Sequence, residues 1–168
     1  MYTPRDAVAT SQPLASGAGL EMLVRGGNAV DAAVAAAAVL NVVEPHMTGI
    51  GGDLFAILWS AEDQELVGLD ASGRAGSLLT PEALRVDGHE HMPGGGPASV
   101  TVPGAVSGWV ALLDRYGTMS LAEVLAPATR IAEEGFPVTP VIARQWRDQE
   151  EKLAGDAGAR ATYLIDGK

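Results

Sequence analysis

Apolar positions recur at helical spacing over Pro13–Arg25, with Leu14, Ala18 and Met22 on one face and Leu20, Leu23 and Val24 on the adjoining one. Gly26-Gly27 ends this predicted helix, because glycine takes the left-handed conformation that closes a helix. Asn28 is a good N-cap for the next, and Asp31 puts a carboxylate at its positive end. That second helix, from Ala29 to about Val43, is almost entirely Ala and Val with Leu40, and has no polar face. A helix of this kind is expected to be buried on nearly all sides, and Pro45 stops it.

Strand signals flank this helical pair. Ala7–Thr10 reads as a short strand. The Gly-rich loop Thr48–Asp53 leads into Leu54–Trp59, an apolar run suited to a central strand. A polar turn, Ala61–Gln64, precedes Glu65–Asp70, the returning strand of a hairpin. Pro93–Pro97 is a loop before the strand-like Ser99–Val102. Pro103-Gly104 opens a helix running to Tyr116, with Val106, Trp109, Val110 and Leu113 on one stripe and Gly117 as its stop. Ser120-Leu121-Ala122-Glu123 is a capping box that starts a helix ending at Gly135. A last helix is expected from Thr139 to Leu153. The mixed order predicts an α+β or layered αββα fold. Thr162–Lys168 reads as a turn with no closing element, so the sequence is expected to continue in a longer protein.

Composition narrows the picture. With 47% hydrophobic and 19% charged residues among 168, the chain has the makings of a packed core and not of a disordered segment. The 28 Ala and 21 Gly let backbones approach closely, which favours tight helix–helix and helix–sheet contact. A formal charge of −10 and a pI near 4.6 leave no basic stripe for phosphate, which argues against nucleic acid and anionic membranes as partners. No cysteine is present, excluding disulfides, thiolate metal sites and a cysteine nucleophile. No apolar run approaches the roughly 20 residues of a spanning helix. Met1–Asp6 lacks a secretory pattern, so a cytoplasmic location is expected, or a periplasmic or secreted one if a signal has been removed.

Candidate chemistry is sparse. The Gly-rich loop is neither a P-loop nor a dinucleotide fingerprint, since no Gly-Lys-Ser/Thr follows and it leads into a strand. It reads first as a tight turn. His89 and His91 lack a third ligand, so no metal site is expected, and His46 reads as a hydrogen-bonded loop residue. Glu133-Glu134 and Glu150-Glu151 are solvated helix charges. Arg74 differs from all of these. It stands in Asp70-Ala71-Ser72-Gly73-Arg74-Ala75, where the chain leaves a strand, and offers a planar fork to a substrate carboxylate or to a surface acid.

Assembled in order, the motifs resemble those of γ-glutamyltransferases. The matching blocks are Pro13-Leu14-Ala15-Ser16, Gly26-Gly27-Asn28-Ala29-Val30-Asp31-Ala32-Ala33, Leu40–Pro45 with Thr48–Gly52, Val102-Pro103-Gly104, Tyr116-Gly117 and Leu125–Val138. The resemblance spans residues 7 to 166. It implies a partial N-terminal nucleophile hydrolase fold, an αββα sandwich to which residues 1–168 contribute the N-terminal portion of a large subunit. In that family a precursor cleaves itself before a threonine, whose freed amine activates its own hydroxyl against a γ-glutamyl amide such as glutathione. Thr48, Thr101, Thr118 and Thr129 do not match the context of that threonine. The resemblance therefore implies no catalytic residue in this chain, no metal, no cofactor, and a small subunit as partner.

One position departs from the pattern. Typical members carry Asp-x-Arg-Glu at the end of the second hairpin strand, the arginine holding the substrate carboxylate. Here Ser72 occupies that place and Arg74 follows two residues later, as in acylase-like members. Ser72 and Arg74 are accordingly the expected substrate-binding residues. A related amide acylase with a non-glutamyl substrate, or a non-catalytic truncated homologue acting as a scaffold, are the alternatives.

Overall fold

The computed structural model describes residues 6–166; the amino-terminal Met1–Arg5 and the end of the expected terminal turn, Gly167-Lys168, lie outside them. Helices α1 (Pro13–Val24) and α2 (Ala29–Val43) form an antiparallel pair joined by the Gly26-Gly27 turn, with Gly26 at φ +90°. Small residues make that pair close. Ala15, Ala18 and Met22 of α1 meet Ala32, Ala35, Ala36 and Val39 of α2 in the core. The Asn28 side chain caps α2 by accepting from the N–H groups of Val30 and Asp31, while Asp31 returns a bond to the Asn28 N–H.

Strands β1 (Leu54–Ser60) and β2 (Glu65–Ala71) form an antiparallel hairpin, with Leu54 opposite Ala71 and Ser60 opposite Glu65. The short α3 (Pro81–Val86) follows, capped by Thr80 with proline in its first turn. Hydropathy alone did not anticipate it, since it buries no side chain. Helices α4 (Ala105–Tyr116) and α5 (Leu121–Glu134) complete the core. Helix α5 packs on α2, and α4 lies between α2 and the inner face of the hairpin. The expected Ser120–Glu123 capping box is present.

Several expectations are corrected. Ala7–Thr10 forms no strand: Val8 packs over Gly19 of α1, and no neighbouring strand offers it a ladder. Ser99–Val102 is also not a strand, because Pro97–Ser99 makes one 3₁₀ turn. The chain then runs extended, with the Val102 N–H bonded to the Arg74 carbonyl. The helix expected from Thr139 to Leu153 breaks into α6 (Pro140–Arg147) and α7 (Glu150–Ala154), followed by α8 (Ala157–Tyr163). Only Ile142 of this region is buried, and a long helix without an apolar stripe has little packing to hold it together. On α4 the buried face is Ala105, Gly108, Trp109, Leu112 and Leu113, turned away from Val106 and Val110. Ala105 and Gly108 win because a small surface admits the hairpin: a Cβ built on Gly108 lies 2.5 Å from Leu54.

The helix expected to be buried on nearly all sides and the strand expected to be central each keep an open side. Helix α2 exposes Ala29 and Ala33 to a groove of about 730 Å³ shared with residues 6–10. Strand β1 is not central in a two-stranded sheet. Its Leu54, Ala56 and Leu58 face the core, whereas Phe55, Ile57 and Trp59 are 68%, 78% and 58% exposed beside Leu66 at 69%. No helix among the described residues is long and apolar enough to cross a membrane.

Candidate functional site

Three chain segments far apart in sequence converge at the open end of the hairpin: the Gly-rich loop before β1, the exit from β2, and the run into α4. The Gly52 carbonyl accepts from both Gly104 N–H (3.1 Å) and Ala105 N–H (3.0 Å). The Arg74 carbonyl accepts from Val102 N–H at 2.9 Å. Asp53 closes the set, its Oδ1 accepting the Gly73 N–H (3.1 Å) and the Thr101 hydroxyl (2.8 Å). Glycine is a steric requirement at two of these crossings. A Cβ on Gly73 would stand 1.4 Å from the Val102 carbonyl oxygen, and one on Gly104 would stand 2.0 Å from that of Ala71.

Both expected binding residues sit on this junction, with different chemistry. Ser72 is exposed and turned back on β2: its N–H (2.8 Å) and its hydroxyl (2.6 Å) both donate to Asp70 Oδ1. The Ser72 hydroxyl and then its N–H hold the Asp70 carboxyl below its ordinary pKa. A hydroxyl already donating in this way offers a ligand an oxygen lone pair, the wrong polarity for a carboxylate. Arg74 is exposed, and the ion pairs among the described residues engage Arg25, Arg85 and Arg130 but not Arg74. It is also the only Lys or Arg between Arg25 and Arg85. Of the two expected residues, Arg74 alone carries the charge and the fork for an anionic group.

The remaining candidates have local roles. His46 Nε2 lies 3.2 Å from Gln145 Oε1, with the Trp146 ring beside it. His89 and His91 lie on an exposed loop, and no three His, Cys, Asp or Glu converge among the described residues. The signature block Gly26–Ala33 is structural. Buried Asp31 accepts from Asn28 N–H (2.7 Å), Thr118 N–H (3.0 Å), Thr118 hydroxyl (2.6 Å) and Met119 N–H (3.1 Å). Asn28 Nδ2 donates to the Tyr116 carbonyl at 2.6 Å, so the start of α2 is riveted to the α4–α5 turn.

Sequence reading missed Asp53 and Thr101. An acid directly after a glycine run is a visible signal, but its partners lie 20 and 48 positions away.

The sequence profile described as Gamma-glutamyltranspeptidase matches residues 15–168. The glutathione hydrolase proenzyme of Bacillus subtilis is 37% identical over 165 residues, covering 96% of this chain and 28% of that protein. The crystal structure of Helicobacter pylori gamma-glutamyltranspeptidase superposes with a TM-score of 0.91 at 32% identity, over 99% of this chain and 48% of that one. Cephalosporin acylase from Bacillus halodurans gives a TM-score of 0.82 at 46% identity, over 92% of this chain and 30% of that one. The chain thus spans less than a third of the length of the curated relative and about half of the Helicobacter chain.

Proposed function

The chain belongs to the gamma-glutamyltranspeptidase family, among its acylase-like members, and we propose that it forms the front of the large subunit of a self-processing amide hydrolase or acyl transferase. Its α+β arrangement is part of an N-terminal nucleophile hydrolase fold. The nucleophile of the complete enzyme is a threonine on a segment beyond this chain. Its hydroxyl attacks the amide carbonyl of a γ-glutamyl compound such as glutathione, the amine departs with a proton, and the acyl group passes to water or an amino acid. The exposed apolar face Phe55, Ile57, Trp59 and Leu66 supports a partner layer supplied by the rest of the protein. Acyl transfer by this route needs the activated threonine, so the 168-residue chain alone is expected to release no p-nitroaniline from γ-glutamyl anilide. The complete proenzyme is expected to cleave itself and then do so; turnover by the isolated chain above a denatured control overturns the assignment.

The observation that carries the substrate reading is Arg74, a cation without an ion pair among the described residues, on a loop tied down from both sides. It holds the acyl group's carboxylate in place of the family's arginine, which Ser72 has replaced. A charge-assisted, bidentate contact is worth about 1.5–3 kcal/mol. Arg74→Ala in the complete enzyme should therefore raise KM for γ-glutamyl and glutaryl anilides about ten- to a hundredfold. Butyryl anilide lacks the carboxylate and should be unaffected. Arg74→Lys should recover little, since an ammonium cannot reproduce the fork. Equal effects on all three substrates, or on none, remove Arg74 from substrate binding. They then favour the second reading, an amide acylase for acyl groups without a carboxylate, which Ser72, standing where the resemblance expects an arginine, and the acylase relatives support.

A further inference from the structure

The segment that carries Arg74 has almost nothing apolar to hold it. Ser72, Arg74, Ala75 and Gly76 are all exposed, and Gly73 has no side chain to bury. Its place is set by polar ties. The bonds from Ser72 to Asp70 are local and fix only the turn leaving β2. The bond from Val102 N–H to the Arg74 carbonyl is backbone to backbone and blind to residue type. The remaining long-range tie comes from a side chain, Asp53, whose Oδ1 grips Gly73 N–H from one direction and Thr101 hydroxyl from another. Asp53 is acidic, yet it makes no ion pair with Arg74 within 4 Å, so it anchors the loop through the backbone and does not itself engage the guanidinium.

We propose that Asp53 is a positioning residue for Arg74, setting through the Gly73 N–H where the guanidinium meets the substrate and hence the selectivity for acyl groups bearing a carboxylate. This rests on the carboxylate-binding role of Arg74 given above. Asp53 touches no substrate. It acts because a two-pronged contact loses its strength when the fork is displaced by about an ångström. Thr101 is the second half of the device, since its hydroxyl keeps the Asp53 oxygen aimed at Gly73.

The test uses the complete, self-processed enzyme with γ-glutamyl and butyryl anilides. Asp53→Ala should raise KM for the γ-glutamyl substrate about ten- to thirtyfold with kcat within about threefold, and leave both constants for butyryl anilide unchanged. Asp53→Asn retains an acceptor oxygen and should stay within about threefold of the parent, and Thr101→Val should fall between them. In an Arg74→Ala background, Asp53→Ala should add nothing, because a residue acting only through Arg74 has nothing left to position. If Arg74→Ala raises KM and Asp53→Ala does not, the Asp53 proposal alone is overturned. If Arg74→Ala is without effect, the Arg74 reading fails and this proposal falls with it. An Asp53→Ala penalty on both substrates, a further loss in the Arg74→Ala background, or Asp53→Asn as impaired as Asp53→Ala also overturns it. Should Asp53→Ala fail to process itself, Asp53→Asn and Thr101→Val decide the matter by the same comparison of substrates.

Discussion

Replacing Gly73 with alanine should be among the most damaging small substitutions in this chain. The new methyl would sit 1.4 Å from the Val102 carbonyl oxygen, which is bonding distance, not contact distance. No rotamer relieves a Cβ clash, so the β2 exit and the run into α4 must move apart. That movement breaks the Val102–Arg74 backbone bond and the Gly73–Asp53 bond together. Forced overpacking costs about 1–3 kcal/mol when side chains can shift, and a backbone-to-backbone clash belongs at or above the top of that range. Gly76→Ala supplies the control three residues on, where a Cβ would meet nothing within 4 Å and should change stability by less than about 0.5 kcal/mol. Denaturation midpoints of the two variants, measured side by side, check this. Indistinguishable midpoints for Gly73→Ala and the parent would mean that the three segments do not cross as described.

Asp31→Ala should cost about 3–5 kcal/mol, the sum of several buried donors left without an acceptor. The carboxylate is fully buried and serves three N–H groups and a hydroxyl. It is wedged where a Cβ on Gly27 would come within 3.1 Å of Asp31 Oδ2 and one on Gly117 within 2.9 Å of its Oδ1. Water has little room to replace it. Burial alone pushes this carboxyl's pKa up. The Thr118 hydroxyl and the N–H groups of Asn28, Met119 and Thr118 together outweigh burial and hold the pKa below its ordinary value. A carboxyl depressed in the folded state stabilises fully above its unfolded pKa of about 4. That contribution drains away as pH falls from there through the folded value. The stability gap between parent and Asp31→Asn should therefore be constant near neutrality and shrink below about pH 4. A gap that stays the same on acidification would show that the hydrogen bonds do not depend on ionisation.

Asp31 also shows how far local pattern reaches. Its place in the first turn of a helix marks it as an acid near the positive end of a dipole, and that is correct as far as it goes. The larger role, joining α2 to the α4–α5 turn, depends on Thr118 and Met119, which lie 87 and 88 positions away. The signature block resembling γ-glutamyltransferases is informative about ancestry for this reason. It encodes a helix cap and a rivet that hold α2 to the α4–α5 turn in this chain.

What the amino-acid sequence determined by itself is the set of elements governed by near neighbours. Asn28 and the Ser120–Glu123 box start helices because a side chain three residues or fewer away satisfies free backbone N–H groups. Gly26 and Gly135 follow the ends of α1 and α5, at φ +90° and +80° that a Cβ disfavours. The polar turn Ala61–Gln64 folds two apolar runs into a hairpin. Tertiary structure alone decided which faces of those elements meet. Strand β1 is apolar on both sides, so alternation cannot say that Leu54, Ala56 and Leu58 turn inward while Phe55, Ile57 and Trp59 stay outside. Helix α4 buries Ala105 and Gly108 beside Trp109, Leu112 and Leu113, because the hairpin comes too close at Gly108 for a larger side chain, and Val106 and Val110 stay outside. The meeting of Asp53, Gly73 and Thr101 belongs to the same class. Each is an ordinary loop residue, and bringing them together means closing loops of 20 and 48 residues, an entropic cost that only the packed core of α2, α4 and the hairpin can offset.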